Sequence, residues 1–181
     1  MLKDKTVVIG VSGGIAVYKT LDVVSRLRKL GVNVNVIMTK SATEFVTPLS
    51  FQSLSQNYVV CDMFEYPKTW DVEHISLAKR ADVFLIAPAT ANVIGKIANG
   101  IADDMLSTTI MATKSTVVFV PAMNTGMYEN PIVQNNFEKL KKYGYKIIEP
   151  TVGHLACGDE AKGKLPANNE IIDYIKTLIK E

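Results

Sequence analysis

The sequence predicts an α/β fold of three layers, Rossmann-like (flavodoxin-like), with a parallel sheet between helices. Three observations carry that expectation. Short unbroken apolar runs at Thr6–Val11, Val34–Met38, Asp82–Ala87 and Thr116–Pro121 lack in–out alternation, so they read as strands buried on both faces. Helical stretches separate them, and such alternation implies parallel strands joined by crossover helices. The chain has 181 residues, 48% apolar and 21% charged, which fits one domain, 1–181, with a substantial core.

The elements follow in order. After Thr6–Val11, the residues Ile15, Tyr18, Leu21, Val24 and Leu27 recur at helical spacing and Gly31 closes that helix. Val34–Met38 is the second strand. Ser41 and Glu44 have the spacing of a capping box and predict a helix start there. Thr47-Pro48 opens another helix with Pro at its first position. Beyond the strands Asp82–Ala87 and Thr116–Pro121, Asn130-Pro131 caps a helix that runs to Gly144. Tyr145–Ile148 follows as a strand and Ile171–Ile179 as a closing helix. Two stretches show no period: Cys61–Glu73, with Tyr66, Pro67 and Trp70, and Pro150–Pro166, with Gly153, Gly158 and Gly163. Long loops of this kind in compact domains tend to be lids or binding loops.

Composition excludes several function classes. The net charge is +2 with Lys and Arg dispersed, which gives no footprint for nucleic acid or an anionic membrane. No apolar stretch reaches the ~20 residues of a membrane span, and no secretory signal opens the chain. A cytoplasmic chain is expected, with Cys61 and Cys157 reduced. No metal site is expected, because His74, His154, Cys61 and Cys157 lack short ligand spacing. There is no GxSxG, so a serine hydrolase is unsupported.

Ligands of parallel α/β sheets bind outside the carboxyl ends of the strands. The first such end reads Gly10-Val11-Ser12-Gly13-Gly14-Ile15, whose small residues let backbone N–H groups approach a phosphate at a helix start. It is neither GxGxxG nor a P-loop. The second end, Met38-Thr39-Lys40-Ser41, carries hydroxyls and a Lys where a nicotinamide site usually carries an acid. The third is Ala87-Pro88-Ala89-Thr90-Ala91-Asn92 and the fourth Pro121-Ala122-Met123-Asn124-Thr125-Gly126-Met127. So few charges predict a flat, mostly apolar ligand with one phosphate, which suits FMN. His74 begins a helix after the first irregular stretch. His154 reads as incidental, and Cys157 lies on a Gly-flanked loop, exposed and available for proton transfer.

His74-Ile75-Ser76-Leu77, Pro88-Ala89-Thr90-Ala91-Asn92, Pro121 to Met127 and Gly153-His154-Leu155-Ala156-Cys157-Gly158 occur in that order. Together they resemble the homo-oligomeric flavin-containing cysteine decarboxylases, over nearly the whole chain. The resemblance implies that Gly13, Gly14, Ile15, Thr39, Ser41, Thr90, Ala91, Asn92, Val93 and Ala122 hold FMN, with Ser107 and Thr108 near the ring. It implies a single flavin-binding decarboxylase domain acting on 4′-phosphopantothenoylcysteine in coenzyme A biosynthesis. The substrate thiol would be oxidised to a thioaldehyde, CO2 would leave, and the enethiolate would be reduced to 4′-phosphopantetheine. His74 would be the base, Asn124 would bind the substrate carboxylate, and Cys157, on a flap, would protonate the enethiolate. His154 and Ala156 would flank the substrate. Partners implied are the phosphorylated small molecule and further copies of the chain, as a trimer or dodecamer.

Other readings are a peptidyl-cysteine decarboxylase of peptide-antibiotic maturation and a flavin-binding regulatory subunit. The Ala156-Cys157-Gly158 loop favours the phosphopantothenoylcysteine substrate over the peptide, and the complete His, Asn and Cys set favours an enzyme over a regulatory subunit. A flavin prenyltransferase would lack the His and Asn pairing. One departure stands out: Met127-Tyr128 replaces the family's usual Met-Trp.

Overall fold

The computed structural model describes residues 2–64, 72–154, 158 and 160–180. Among them, β1 (Thr6–Val11), β2 (Asn33–Met38), β3 (Val59–Val60), β4 (Val83–Ala89), β5 (Thr116–Pro121) and β6 (Lys146–Ile147) pair in parallel in the order β3-β2-β1-β4-β5-β6. This is the doubly wound order: the chain starts centrally, builds outward to β3, then crosses back to add β4 beside β1. Ile9 is level with Val36 on one side and Leu85 on the other.

The helices are α1 (Val17–Lys29), α2 (Lys40–Thr43), α3 (Pro48–Ser55), α4 (Glu73–Arg80), α5 (Ala91–Ala98), α6 (Met105–Ala112), α7 (Thr125–Tyr128), α8 (Pro131–Lys142) and α9 (Asn168–Lys180). Alternate strand residues feed two cores. Val7, Ile9, Val36, Leu85 and Val118 pack with Val24 and Leu27 of α1, Phe51 of α3 and Ile175 of α9. Val8, Ile37, Phe84, Ile86 and Phe119 pack on the other side with Leu77 of α4, Ile94 of α5, Leu106 of α6 and Phe137 of α8. Burial on both faces is why these strands carry continuous apolar runs. The expected three layers are present.

Several local expectations need correction. The cap of α2 is Thr39, whose hydroxyl accepts from the Ala42 N–H at 3.2 Å; Ser41 lies inside that helix. Both residues have a capping chemistry, but β2 ends at Met38, so the chain turns at Thr39. Ile15 and Tyr18 belong to no core face, being 58% and 57% exposed. Gly31 does end α1, with φ +84°, a left-handed conformation suited to glycine. The stretch Pro150–Pro166 is not a bare loop, since β7 (Thr151–His154) and β8 (Glu160–Lys164) form an antiparallel ribbon. Its glycines and charges hide the strand period. The helix from Pro131 stops at Lys142, and the strands at residues 82–87 and 145–148 shift to Val83–Ala89 and Lys146–Ile147. Helices α5 and α6 carried no predicted boundary, because their flanks had been read as binding segments. The irregular stretch Cys61–Glu73 falls largely on residues 65–71, outside the described residues.

Gly10 has no room for a side chain, since a Cβ there would lie 2.4 Å from Leu106 Cδ1 in the second core. Gly10→Ala is expected to destabilise the fold by about 1–3 kcal/mol through overpacking. Urea unfolding checks this, as a lower midpoint with an unchanged slope.

Candidate active site

The crossing from β1 to β4 leaves a crevice between neighbouring strand ends, and hydrogen bonds fix its width. Ser12, 1% exposed, donates its hydroxyl to Pro88 O at 2.7 Å and accepts from Thr90 N–H at 2.9 Å. The Ser12 N–H also reaches Pro88 O, Thr39 N–H donates to Val11 O, and Ala122 N–H donates to Ala89 O. Four strand ends are thus joined across the top of the sheet by bonds from residues immediately past the strands.

Above this seam lies a cavity of about 530 Å³, within the size range of small-molecule sites. Gly13, Gly14, Ile15, Thr90, Ala91, Ala122 and Asn124, all expected from the sequence as site residues, line it. Gly13 is required because a Cβ would lie 2.4 Å from Ser41 Cβ and 2.7 Å from the Ser41 carbonyl carbon. Gly14 faces the cavity, and the nearest atom to a Cβ there is Thr90 Cγ2 at 3.6 Å. Helix α1 begins beside them at Ala16 with no side-chain cap and no acidic residue in its first turn. The Val17 N–H donates to Gly14 O and the Lys19 N–H to Ala16 O, so the helix start offers an anion chiefly the partial positive charge of its dipole. Tyr18, Met123 and Met127 complete an apolar wall.

Sequence reasoning missed two lysines. Lys19 on α1 and Lys164 on β8 both line the cavity and the smaller hollow next to it, which also holds Glu170. Among the described residues neither is ion-paired with a carboxylate. Burial, and then the Lys164 ammonium, push the Lys19 pKa below its ordinary value. Two like charges held at one mouth are unfavourable alone, and an anion between them relieves that repulsion. Their separation of nearly 150 positions in the chain concealed them.

The other predicted residues divide. Thr39 opens onto a separate hollow of about 190 Å³, shared with Cys61, Asp103 and Asp104. Ser41 backs Gly13 and is itself exposed. Asn92 is exposed at the start of α5, and the Val93 side chain belongs to the core, leaving its N–H, which Thr90 Oγ1 accepts at 3.5 Å. Ser107 is buried in a capping box: it donates to Asp104 Oδ1 at 2.9 Å, while its N–H donates to the same oxygen at 2.8 Å. The Thr108 hydroxyl donates to Ala102 O at 3.3 Å. Asn124 caps α7, its Oδ1 accepting from Gly126 N–H at 2.9 Å. His74 sits half-buried in the first turn of α4 and is not among the residues lining the cavity. His154 ends β7, with its side chain outside the described residues, as are Ala156 and Cys157.

Comparison with known proteins gives this architecture a family. The family described as Flavoprotein matches residues 1–180. The chain belongs to this flavoprotein family. It is 50% identical over 172 residues to the coenzyme A biosynthesis bifunctional protein CoaBC of Bacillus subtilis, covering 95% of this chain and 42% of that one. It is 45% identical over 174 residues to a Streptococcus mutans protein named "Probable phosphopantothenoylcysteine decarboxylase", covering 95% and 97%. The flavoprotein thus spans less than half the length of the bifunctional relatives it matches. Among solved structures, the FMN-dependent cysteine decarboxylase SpaF superposes with a TM-score of 0.87 at 30% identity over 100% of both chains. A PPC decarboxylase mutant complexed with pantothenoylaminoethenethiol gives 0.86 at 30% identity, over 98% of this chain and 99% of that one.

The residues present fit a flavin nucleotide. The uncapped start of α1 with its glycines suits a phosphate, and the apolar cavity beside it suits a flat ring system.

Two predictions test the site's construction. Ser12→Ala leaves the Thr90 N–H without its acceptor and is expected to cost about 1–3 kcal/mol of stability, with weaker flavin affinity. Denaturation and flavin fluorescence titration read the two effects. For Asp104, burial alone would raise the carboxyl pKa, but bonds from Ser107 and Lys96 outweigh it and hold it below the ordinary value. Its stabilisation is present above the unfolded-state pKa of about 4 and is lost as pH falls through the folded value. The stability gap between wild type and Asp104→Asn should therefore be open at neutral pH and close in acid.

Proposed function

We propose that this chain, as one domain over residues 1–181, decarboxylates 4′-phosphopantothenoylcysteine to 4′-phosphopantetheine with FMN as its cofactor. The observation that carries the reading is one apolar cavity with a glycine cradle and uncapped helix start at one side and the Lys19–Lys164 pair at its mouth. The first suits the flavin phosphate, and the second supplies charge for a phosphorylated substrate. The names of the Streptococcus mutans relative and of the two superposed structures support the same substrate class and cofactor. When bound, FMN supplies a two-electron acceptor that later returns the electrons, so the overall conversion has no net redox change.

The chain's own residues have distinct tasks. His74 of α4 takes the thiol proton, the general-base task that imidazole side chains perform most often. Asn124 at the start of α7 offers its amide N–H group to the substrate carboxylate, without an opposing charge that would hold the carboxylate in place. Lys19 and Lys164 bind the phosphate. Cys157, beyond β7, donates the final proton to the decarboxylated substrate.

His74 and the cavity are joined in the working protein by a second copy of the chain, as a trimer or a dodecamer. Exposed Phe64 and Val72, on either side of residues 65–71, support an apolar contact on the His74 side. A cytoplasmic location accords with this biosynthetic role, and no helix among the described residues is long and apolar enough to cross a membrane.

The experiment supplies the purified FMN-loaded protein with 4′-phosphopantothenoylcysteine or with a cysteine-terminated peptide, and measures CO2. Release from the first alone is expected, whereas release from the peptide alone would assign a peptidyl-cysteine decarboxylase instead. His74→Asn should retain the yellow colour and lose CO2 release. Cys157→Ser should release CO2 yet fail to form 4′-phosphopantetheine, and normal product from it would remove Cys157 from the scheme.

A further inference from the structure

The β7–β8 ribbon meets the active-site segment Met123–Tyr128 through an unusual joint. Thr151 pairs with Lys164 and Val152 with Lys162, so Gly163 is an extra residue in β8. Its φ is +141°, and a Cβ there would lie 2.2 Å from Met123 O. Met123 N–H donates to Gly163 O at 3.0 Å, and the Thr125 hydroxyl donates to Lys162 O at 2.9 Å. A bulge of this kind re-aims the strand and its side chains. Here Lys164 reaches the cavity while Lys162 turns to Tyr128.

Tyr128, 7% exposed, is the hub of a side-chain cluster at that joint. Its hydroxyl donates to Glu149 Oε2. The Lys162 ammonium stands 5.0 Å from the ring centroid and 3.7 Å from the same Glu149 oxygen. Lys141 of α8 holds the other Glu149 oxygen at 3.4 Å and also pairs with Glu138. Burial and the Glu149 bond raise the Tyr128 pKa. Burial would raise Glu149 too, but the Tyr128 bond and the Lys141 and Lys162 charges outweigh it and keep the carboxyl low. The phenol thus stays a donor and Glu149 a charged acceptor. Tyr128 replaces the tryptophan usual at this motif position, and its hydroxyl makes the bond to Glu149.

The exposed ion pairs of this cluster are individually weak. They matter through geometry, because Lys141 and Lys162 converge on Glu149, and Lys162 immediately precedes Gly163. Resting on the decarboxylase reading above, we propose that Tyr128, Glu149 and Lys162 form a latch that sets the Gly163–Leu165 arm against Asn124. Tyr128 is then a positioning residue for the phosphorylated substrate, acting through Lys164, two residues along the strand from Lys162.

The test compares FMN-loaded wild type with Tyr128→Phe, Glu149→Gln, Lys162→Met and the Tyr128→Phe/Glu149→Gln double variant. FMN affinity should not change. For 4′-phosphopantothenoylcysteine, KM should rise about tenfold, the worth of one charge-assisted hydrogen bond, with kcat nearly constant. The unphosphorylated analogue should show no such change, and the double variant should be no worse than either single one. Independently of turnover, amide hydrogen exchange over residues 160–164 should quicken in each variant. Unchanged exchange there, or equal losses on both substrates, overturns the latch. Lys162→Met, a change at a half-exposed residue, carries the test if Tyr128→Phe fails to fold. A wild-type protein that releases no CO2 sinks the decarboxylase reading alone, and hydrogen exchange then decides the latch.

Discussion

One hydroxyl, that of Ser12, ties together the two halves of this molecule at their point of divergence. In a doubly wound sheet the first strand and the fourth lie side by side but send their following segments to opposite faces, which opens a gap. Ser12 bridges the gap by donating to Pro88 O and accepting from Thr90 N–H. The position of the glycine turn relative to the start of α5 follows from those two bonds. A bulkier or non-polar residue at this point would separate the two walls or leave a buried amide unpaired.

The site is a meeting of backbone features more than of reactive side chains. Gly13 is held against Ser41, Gly163 against Met123, and the start of α1 is left uncapped. Such surfaces suit a ligand that brings its own chemistry, since the protein's part is then to grip, orient and exclude water. The charged elements lie at the margin, in the Lys19–Lys164 pair and the Tyr128, Glu149 and Lys162 cluster. Selectivity for the reacting molecule can therefore be altered without disturbing the cradle.

The legible parts of the sequence were those where one local pattern decides. The runs from Thr6, Val34, Asp82 and Thr116 announced buried strands because both of their faces are covered. The small residues after β1, β4 and β5 announced an open crevice, and a cavity lies there. Helical period misled at Ile15 and Tyr18, where apolar side chains line a cavity instead of a core. Ser107 has a hydroxyl in the right neighbourhood, yet that hydroxyl is committed to capping α6 with Asp104. The ribbon of β7 and β8 escaped because its strands are polar and bulged, and Lys164 escaped with it. Residues brought together from far apart in sequence leave no periodic mark, and Lys19 and Lys164, which line the same cavity, are such a pair.

The span of the chain that this site draws on has a consequence for synthesis. Gly13 leaves the ribosome well before Lys164 and Leu165, which close the same cavity. Helix α9 then packs back onto α1, so even the first core awaits that later helix. Contacts of such long sequence separation form slowly, because loop-closure entropy is lost before they repay it. A nascent chain therefore holds an open phosphate cradle well before it holds a closed pocket, and cofactor capture belongs to the end of folding.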